Sequence, residues 1–347
     1  MVMKKANWKL YIAATGLVLL ILDSKTASYG ASQGIKLCVC TVIPSLFPFI
    51  FMSSTLVGML KEKPVKPLQH IGKIFNMPAE TINCFLVGLL GGYPTGAACV
   101  AEHYRNGQIK KQQAEQMLGF CNNAGPAFLF GIGGALFSRK LSWILWIVHI
   151  LSALLTFLLL PKAHGSTAAV STEPKTTPIT TVLIQSVKNM GAICGWIILF
   201  RVITAIFDRW FLRRLPEIVK ITIYGILEIS NGCCSLESVG ASAISFLLFS
   251  CFLSLGGLCV TMQTQTVVAP LTLNWYIIGK CIQCLTGIIL CGFLTPLLFS
   301  SEYFAAQSIF MIVIPSTLIY IIVQHFPKKT VDFPLSVIYT KEKPLKR

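Results

Sequence analysis

Two hydrophobic stretches near the middle of this chain are interrupted at a depth where a membrane helix would have to run on. The first, NCFLVGLL-GGYPTGA-ACVAE, is broken at Gly91, Gly92, Pro94 and Gly96. The second, QMLGF-CNNAGPA-FLFGIGGALF, is broken at Asn122, Asn123, Gly125 and Pro126. An unpaired backbone N–H or C=O in hydrocarbon costs several kcal/mol, so irregular backbone survives there only inside protein or beside a water-filled cavity. Tyr93, Thr95, Asn122 and Asn123 crowd these interruptions, which points to a binding or transport site.

The bilayer enters the argument through composition. Of 347 residues, 54% are hydrophobic and 12% charged, with a mean hydropathy of +0.71. Soluble domains carry about 25% charged residues. The expected fold is an all-α polytopic membrane protein in two repeats, each with two broken or re-entrant helices. At about 20 residues per crossing, the length suits roughly eight to ten membrane segments. The net charge of +16 comes from basic residues lying between hydrophobic runs. That pattern fits the positive-inside rule and anionic lipid. No soluble basic module is present, so nucleic acid is not an expected partner.

Thirteen cysteines are spread along the chain, ten of them inside apolar runs, where a free thiol behaves as a small hydrophobe. Cys281-x-x-Cys284 and the adjacent Cys233 and Cys234 have no histidine or second pair nearby. Neither a metal site, a cofactor nor a disulfide framework is expected.

Residues 1–161 read as an N-terminal membrane repeat that opens on an uncleaved first helix. Its second membrane segment is expected over Gly34 to Leu60, with Pro44 and Pro48 inside it, followed by a basic loop at 61–76. The connector EHYRNGQIKKQQAEQ reads as a polar surface helix. Residues 162–180 are a Ser/Thr/Pro-rich linker, 181–327 a C-terminal membrane repeat, and 328–347 a polar tail on the cytoplasmic side with the N-terminus. The halves align as VIPSLFPFIFMSS with NMGAICGWIILFR, GGYPTGA with EISNGCC, and FCNNAGP with LGGLCVTMQ. Gly96 to Asn122 and Gly232 to Leu258 are both 26 residues apart. Interrupted segments at matching positions of two halves point to a midplane transporter site. Charge placement favours parallel repeats and transporter precedent inverted ones, and both topologies stay open.

The expected binding residues are Tyr93, Pro94, Thr95, Gly96, Asn122 and Asn123 in the first half, with Glu228, Asn231 and Gln263 in the second. The glycines let backbone turn or approach closely, Pro94 frees a carbonyl, and the asparagine amides offer donors and an acceptor. An intramembrane carboxylate such as Glu228 is a candidate for cation or proton binding. The structural alternatives are small-residue helix packing, and a Glu228 held by Lys188, Arg201 or a helix N-terminus. His149 reads as a hydrogen-bonded packing residue. No HExxH, GxSxG or Walker signature occurs, so enzymatic activity is not expected.

SLFPFIF at 45–51, GGYPTGAACVAEHYRNGQI and GFCNNAGPAFLFG resemble the YlbJ-type sporulation integral membrane proteins, which contain the nucleoside-recognition (Gate) domain. The resemblance runs from about Val42 to Phe137 and resumes at GILEISNG and LGGLCVTMQ. It implies a multi-pass protein of the bacterial cytoplasmic or forespore membrane, acting in spore cortex or envelope formation. Related segments occur in nucleoside and ferrous-iron transporters, but the resemblance supplies no substrate; the expected partners are the lipid bilayer and a small polar solute, nucleoside-like or ionic. A non-transporting scaffold, working as a homo-oligomer or with other sporulation membrane proteins, is the other reading.

Overall fold

The computed structural model describes residues 8–62, 77–161, 178–299 and 302–324, and every secondary-structure element among them is helical. Helix α1 (Trp8–Leu22) leads into α2 (Ser24–Leu37), which passes through a π turn at Cys38–Val42 into α3 (Ile43–Glu62). The path bends by 56° between Ser24–Val42 and Leu46–Met52. Pro44, which has no N–H to donate, lies at the bend. Then come α4 (Ala79–Gly91), α5 (Thr95–Arg105) and α6 (Lys111–Cys121), a short helical stretch opening at Pro126, and α7 (Arg139–Leu159). The second half contains α8 (Ile179–Phe207), α9 (Glu217–Leu227), α10 (Ile229–Ser235), α11 (Ala243–Leu255), α12 (Gly257–Val268), α13 (Asn274–Leu298) and α14 (Glu302–Gln324). The linker at 162–177 and the tail lie outside the described residues, as does most of the basic loop.

Four described stretches are long and apolar enough to cross a membrane: Arg139–Leu159, Ile179–Leu212, Ala243–Val268 and Asn274–Leu298. The bent pair at α2–α3 makes a fifth. The all-α polytopic architecture is as expected, and α4, α5 and α6, of 13, 11 and 11 residues, are the shorter helices that flank the breaks. Helix α7 shows how the fold faces lipid. It exposes Trp143, Ile147, Leu151, Leu155 and Leu158 along one stripe and buries Ser142, Ser152 and Thr156 on the other side. Apolar outside and polar inside inverts the soluble pattern, because hydrocarbon offers hydroxyls no partner.

Two expectations need correction. The second membrane segment starts at Ser24 rather than Gly34. Its polar opening is helical because Gly30 and Gly34 let α2 lie against α8, where a Cβ would come within 3.0 Å of the Arg201 carbonyl and 2.9 Å of Ile198 Cα respectively. The polar connector is also not a surface helix. It splits between the end of α5 and the start of α6, turning at Gly107 (φ 71°), and Glu115 is buried, accepting from the Thr272 N–H at 2.9 Å.

The halves interlock instead of folding apart. A Cβ on Gly279 of α13 would sit 2.4 Å from Gly119 Cα of α6, so the two helices cross backbone against backbone. Arg105 Nη2 donates to the Val267 carbonyl at 2.7 Å.

Candidate functional site

Helix α4 ends where Gly92 takes a φ of 75°, a left-handed conformation open to glycine at little cost. Thr95 closes the turn, its N–H and hydroxyl both donating to the Gly92 carbonyl at 2.8 and 2.6 Å. Pro94 and Thr95 thus build the turn, and Gly96 opens room behind it. A Cβ on Gly96 would lie 2.0 Å from the Cys121 carbonyl, and one on Gly88 would lie 1.7 Å from it.

The second interruption leaves Asn122 to Gly125 non-helical, and its freed groups find partners in the other half. Lys280 donates its ammonium to the Asn122 carbonyl and to Gln283 Oε1 at 2.6 Å, and lies 3.5 Å from Asn123 Oδ1. Gln283 Nε2 donates to that same Asn123 oxygen at 3.0 Å. The Asn122 amide donates to Thr264 Oγ1 at 2.9 Å and accepts from the Ala97 N–H. Lys280 also faces the rings of Tyr93 and Tyr276, 5.4 and 5.9 Å from their centroids. The buried Lys280 amino group here replaces the helical donors that the break removed.

In the second half a carboxyl group does the complementary work. Glu228 separates α9 from α10, and its two carboxylate oxygens accept from the backbone N–H groups of Ser230 (2.9 Å) and Asn231 (2.7 Å). Of the three ways to hold this carboxylate, the helix N-terminus supplies the hydrogen bonds. Helix α11 then stops at Gly256 (φ 69°), followed by Gly257 (φ 76°), where a Cβ would fall 2.9 Å from the Gly225 carbonyl.

The two halves repeat one construction. In the first, a Cβ on Gly96 would meet Gly88 Cα at 2.7 Å, and in the second, one on Gly232 would meet Gly225 Cα at 2.3 Å. Each broken hairpin is therefore pinched glycine to glycine beneath its break. The next helix presses on the pinch through Cys121 in one half and through Phe252 in the other.

All four breaks meet. A Cβ on Gly125 would sit 3.0 Å from Gly92 Cα, and one on Gly256 would sit 3.3 Å from Tyr93 Cζ. At their junction is a cavity whose polar wall is Gly92, Tyr93, Gly125, Glu228, Ser230 and Gln263. Leu46, Phe128, Ile193 and Val260 contribute apolar wall. Its volume is about 40 Å³. One water needs roughly 10–15 Å³, so this is space for a few waters or an ion, and too little for a nucleoside.

Of the expected site residues, Tyr93, Glu228 and Gln263 line the cavity. Asn122 and Asn123 do not. They are completely buried behind it, spent on holding the break. Asn231 lies beside Glu228, donating Nδ2 to Thr204 Oγ1 at 3.4 Å, while its buried Oδ1 has no partner. His149 stacks on Trp146, but neither of its ring nitrogens has a hydrogen-bond partner, contrary to expectation. Lys280 and Gln283 were missed. The signal was there, since Lys280 is a lone charge within an apolar span.

No protein-family model matches the chain, and no solved structure matches it. It is 30% identical over 135 residues to the curated protein "Sporulation integral membrane protein YlbJ" of Bacillus subtilis (strain 168). The match covers 36% of this chain and 30% of that relative, so it spans less than a third of the relative's length. Over that stretch the chain is similar to a YlbJ-type sporulation integral membrane protein, in keeping with its own long apolar helices.

Proposed function

We propose that the protein binds a small polar solute or ion at the junction of the four helix breaks and moves it across the membrane without chemical change. The observation that carries this reading is the convergence of interruptions from both halves on one cavity holding a buried carboxylate. Glu228 supplies charge, Gln263 an amide, and Gly92 and Gly125 exposed backbone to the occupant. An ion fits the cavity as it stands. A nucleoside-sized solute enters only when the breaks separate, which alternating access by one half rocking on the other would provide. The similarity to a sporulation integral membrane protein supports a membrane role in sporulation, which we take to be in the cytoplasmic or forespore membrane and in cortex or envelope formation.

A scaffold for envelope assembly is favoured by a different observation, the glycine pinch in each half, which leaves little room for motion. Uptake into proteoliposomes separates the two. Purified protein would be tested against nucleosides, divalent cations and dipicolinate-like dicarboxylates, alongside Glu228→Gln and Gln263→Ala. Wild-type uptake of at least one class, reduced tenfold or more by either variant, supports transport. No uptake of any class by wild type leaves the scaffold reading.

A further inference from the structure

Away from the cavity, α4 and α5 bring three soft ligands together. Cys84 Sγ lies 3.3 Å from Cys99 Sγ, and these two sulfurs and an imidazole nitrogen of His103 all fall within 4.8 Å of one another. The three side chains are 0%, 5% and 8% exposed. Cys99 and His103 are four residues apart on α5, one turn along the same face. Cys84 reaches them from α4 because the glycine pinch holds the two helices together. With a metal–sulfur bond of about 2.3 Å, two thiolates on one ion stand roughly 3.8 Å apart at a tetrahedral angle and about 4.6 Å apart in line. The observed 3.3 Å between the sulfurs lies within about 0.5 Å of the first spacing.

A second, independent feature belongs to a ligating histidine. Gln108 Oε1 sits 2.5 Å from His103 Nδ1. When Nδ1 carries the proton and donates to this oxygen, Nε2 keeps the lone pair. Metal-binding imidazoles are oriented by a partner of this kind on the other nitrogen. The surroundings are also soft. Cys121 Sγ and Met117 Sδ lie in the same layer, 3.9 and 3.7 Å from Thr81 oxygens. Among the described residues this is the one group of three or more His, Cys, Asp or Glu placed to hold a metal.

We infer that Cys84, Cys99 and His103 form a site for a resident thiophilic d10 cation, Cu(I) or Zn(II), which staples the first broken hairpin below its break. Two thiolates and an imidazole are the donors such ions prefer over hard cations. Binding releases the two thiol protons to water, and no electron changes hands. Each ion leaves the site closed, with a water or a neighbouring sulfur completing zinc's fourth position and none needed for Cu(I).

The test uses the full-length purified protein under a phosphine reductant, with Zn(II) and Cu(I) offered separately against chromophoric chelators. Wild type should retain one equivalent of one ion, and Cys84→Ser/Cys99→Ser should retain none, with His103→Ala binding at least tenfold more weakly. Loading Co(II) into wild type gives a readout that needs no variant, since thiolate ligation produces an intense near-ultraviolet charge-transfer band. The thermal midpoint should also rise with metal in wild type and stay put in the double variant. Equal retention by wild type and double variant overturns the inference. So does a wild type that only forms a Cys84–Cys99 disulfide on oxidation and holds no metal when reduced.

Discussion

The Tyr93 hydroxyl donates to the Leu253 carbonyl at 2.9 Å and lies 3.3 Å from the Ser254 carbonyl, tying the turn that breaks one half to the helix end that breaks the other. Both carbonyls belong to the last turn of α11, where no intrahelical donor remains. The hydroxyl thus satisfies acceptors that the end of the helix leaves without an intrahelical donor. Tyr93→Phe keeps the ring facing Lys280 and removes this link alone. It should destabilise the protein by about 1–3 kcal/mol, read as a lower midpoint of thermal unfolding in detergent.

Lys280→Met should be the more damaging change. It leaves the Asn122 carbonyl and Gln283 Oε1 facing an apolar chain, while Asn123 Oδ1 keeps the Gln283 amide, with roughly 1–3 kcal/mol lost for each acceptor left without a donor. The expected outcome is poor yield of folded protein and a midpoint well below that of Tyr93→Phe. A variant with wild-type stability would show that the second break is held by other means.

Glycine substitutions separate packing from propensity. Gly96→Ala places a Cβ 2.0 Å from a backbone carbonyl of α6, an overpacking that should cost about 1–3 kcal/mol or more. Gly195→Ala, on α8 with nothing within 4 Å, should be neutral or stabilising by up to roughly 1 kcal/mol. The thermal midpoint should fall with Gly96→Ala and not with Gly195→Ala, and equal shifts would contradict the pinch.

At Glu228 the structural and binding roles come apart. Glu228→Asp retains a carboxylate that caps α10 but withdraws it from the cavity, so stability should be kept and solute affinity lost. Glu228→Gln loses the charge and turns a donor toward one of the two N–H groups. It should therefore lower stability by about 1–3 kcal/mol and affinity as well. Thermal melts beside solute binding for the pair read out the difference.

Much of this arrangement was legible in the chain, and for a physical reason. Gly92, Pro94 and the Asn122–Gly125 run are intrinsic helix breakers, so the first-half interruptions could be read directly. Their counterparts at Glu228 and Gly256 were legible mainly through the spacing of the repeat, because ITIYGILEISNG contains no proline. Which polar residues face the cavity could not be read. Asn122 and Asn123 are the most polar residues of the breaks, yet they are consumed by Lys280, Gln283 and Thr264, more than a hundred positions away. The Cys84–Cys99–His103 cluster escaped for the same reason, since its spacing is metal-like only once α4 folds back on α5.

The central claim is that the four breaks enclose a site open to water from one side of the membrane. Introducing Gln263→Cys on the cavity wall and Gln283→Cys behind it, each treated with a small charged thiol reagent in sealed vesicles and read by peptide mass spectrometry, tests this directly. Position 263 should be modified and position 283 spared, with transported solute slowing the reaction at 263. Equal inertness at both positions would mean a dry, packed core, and the transport reading would fall.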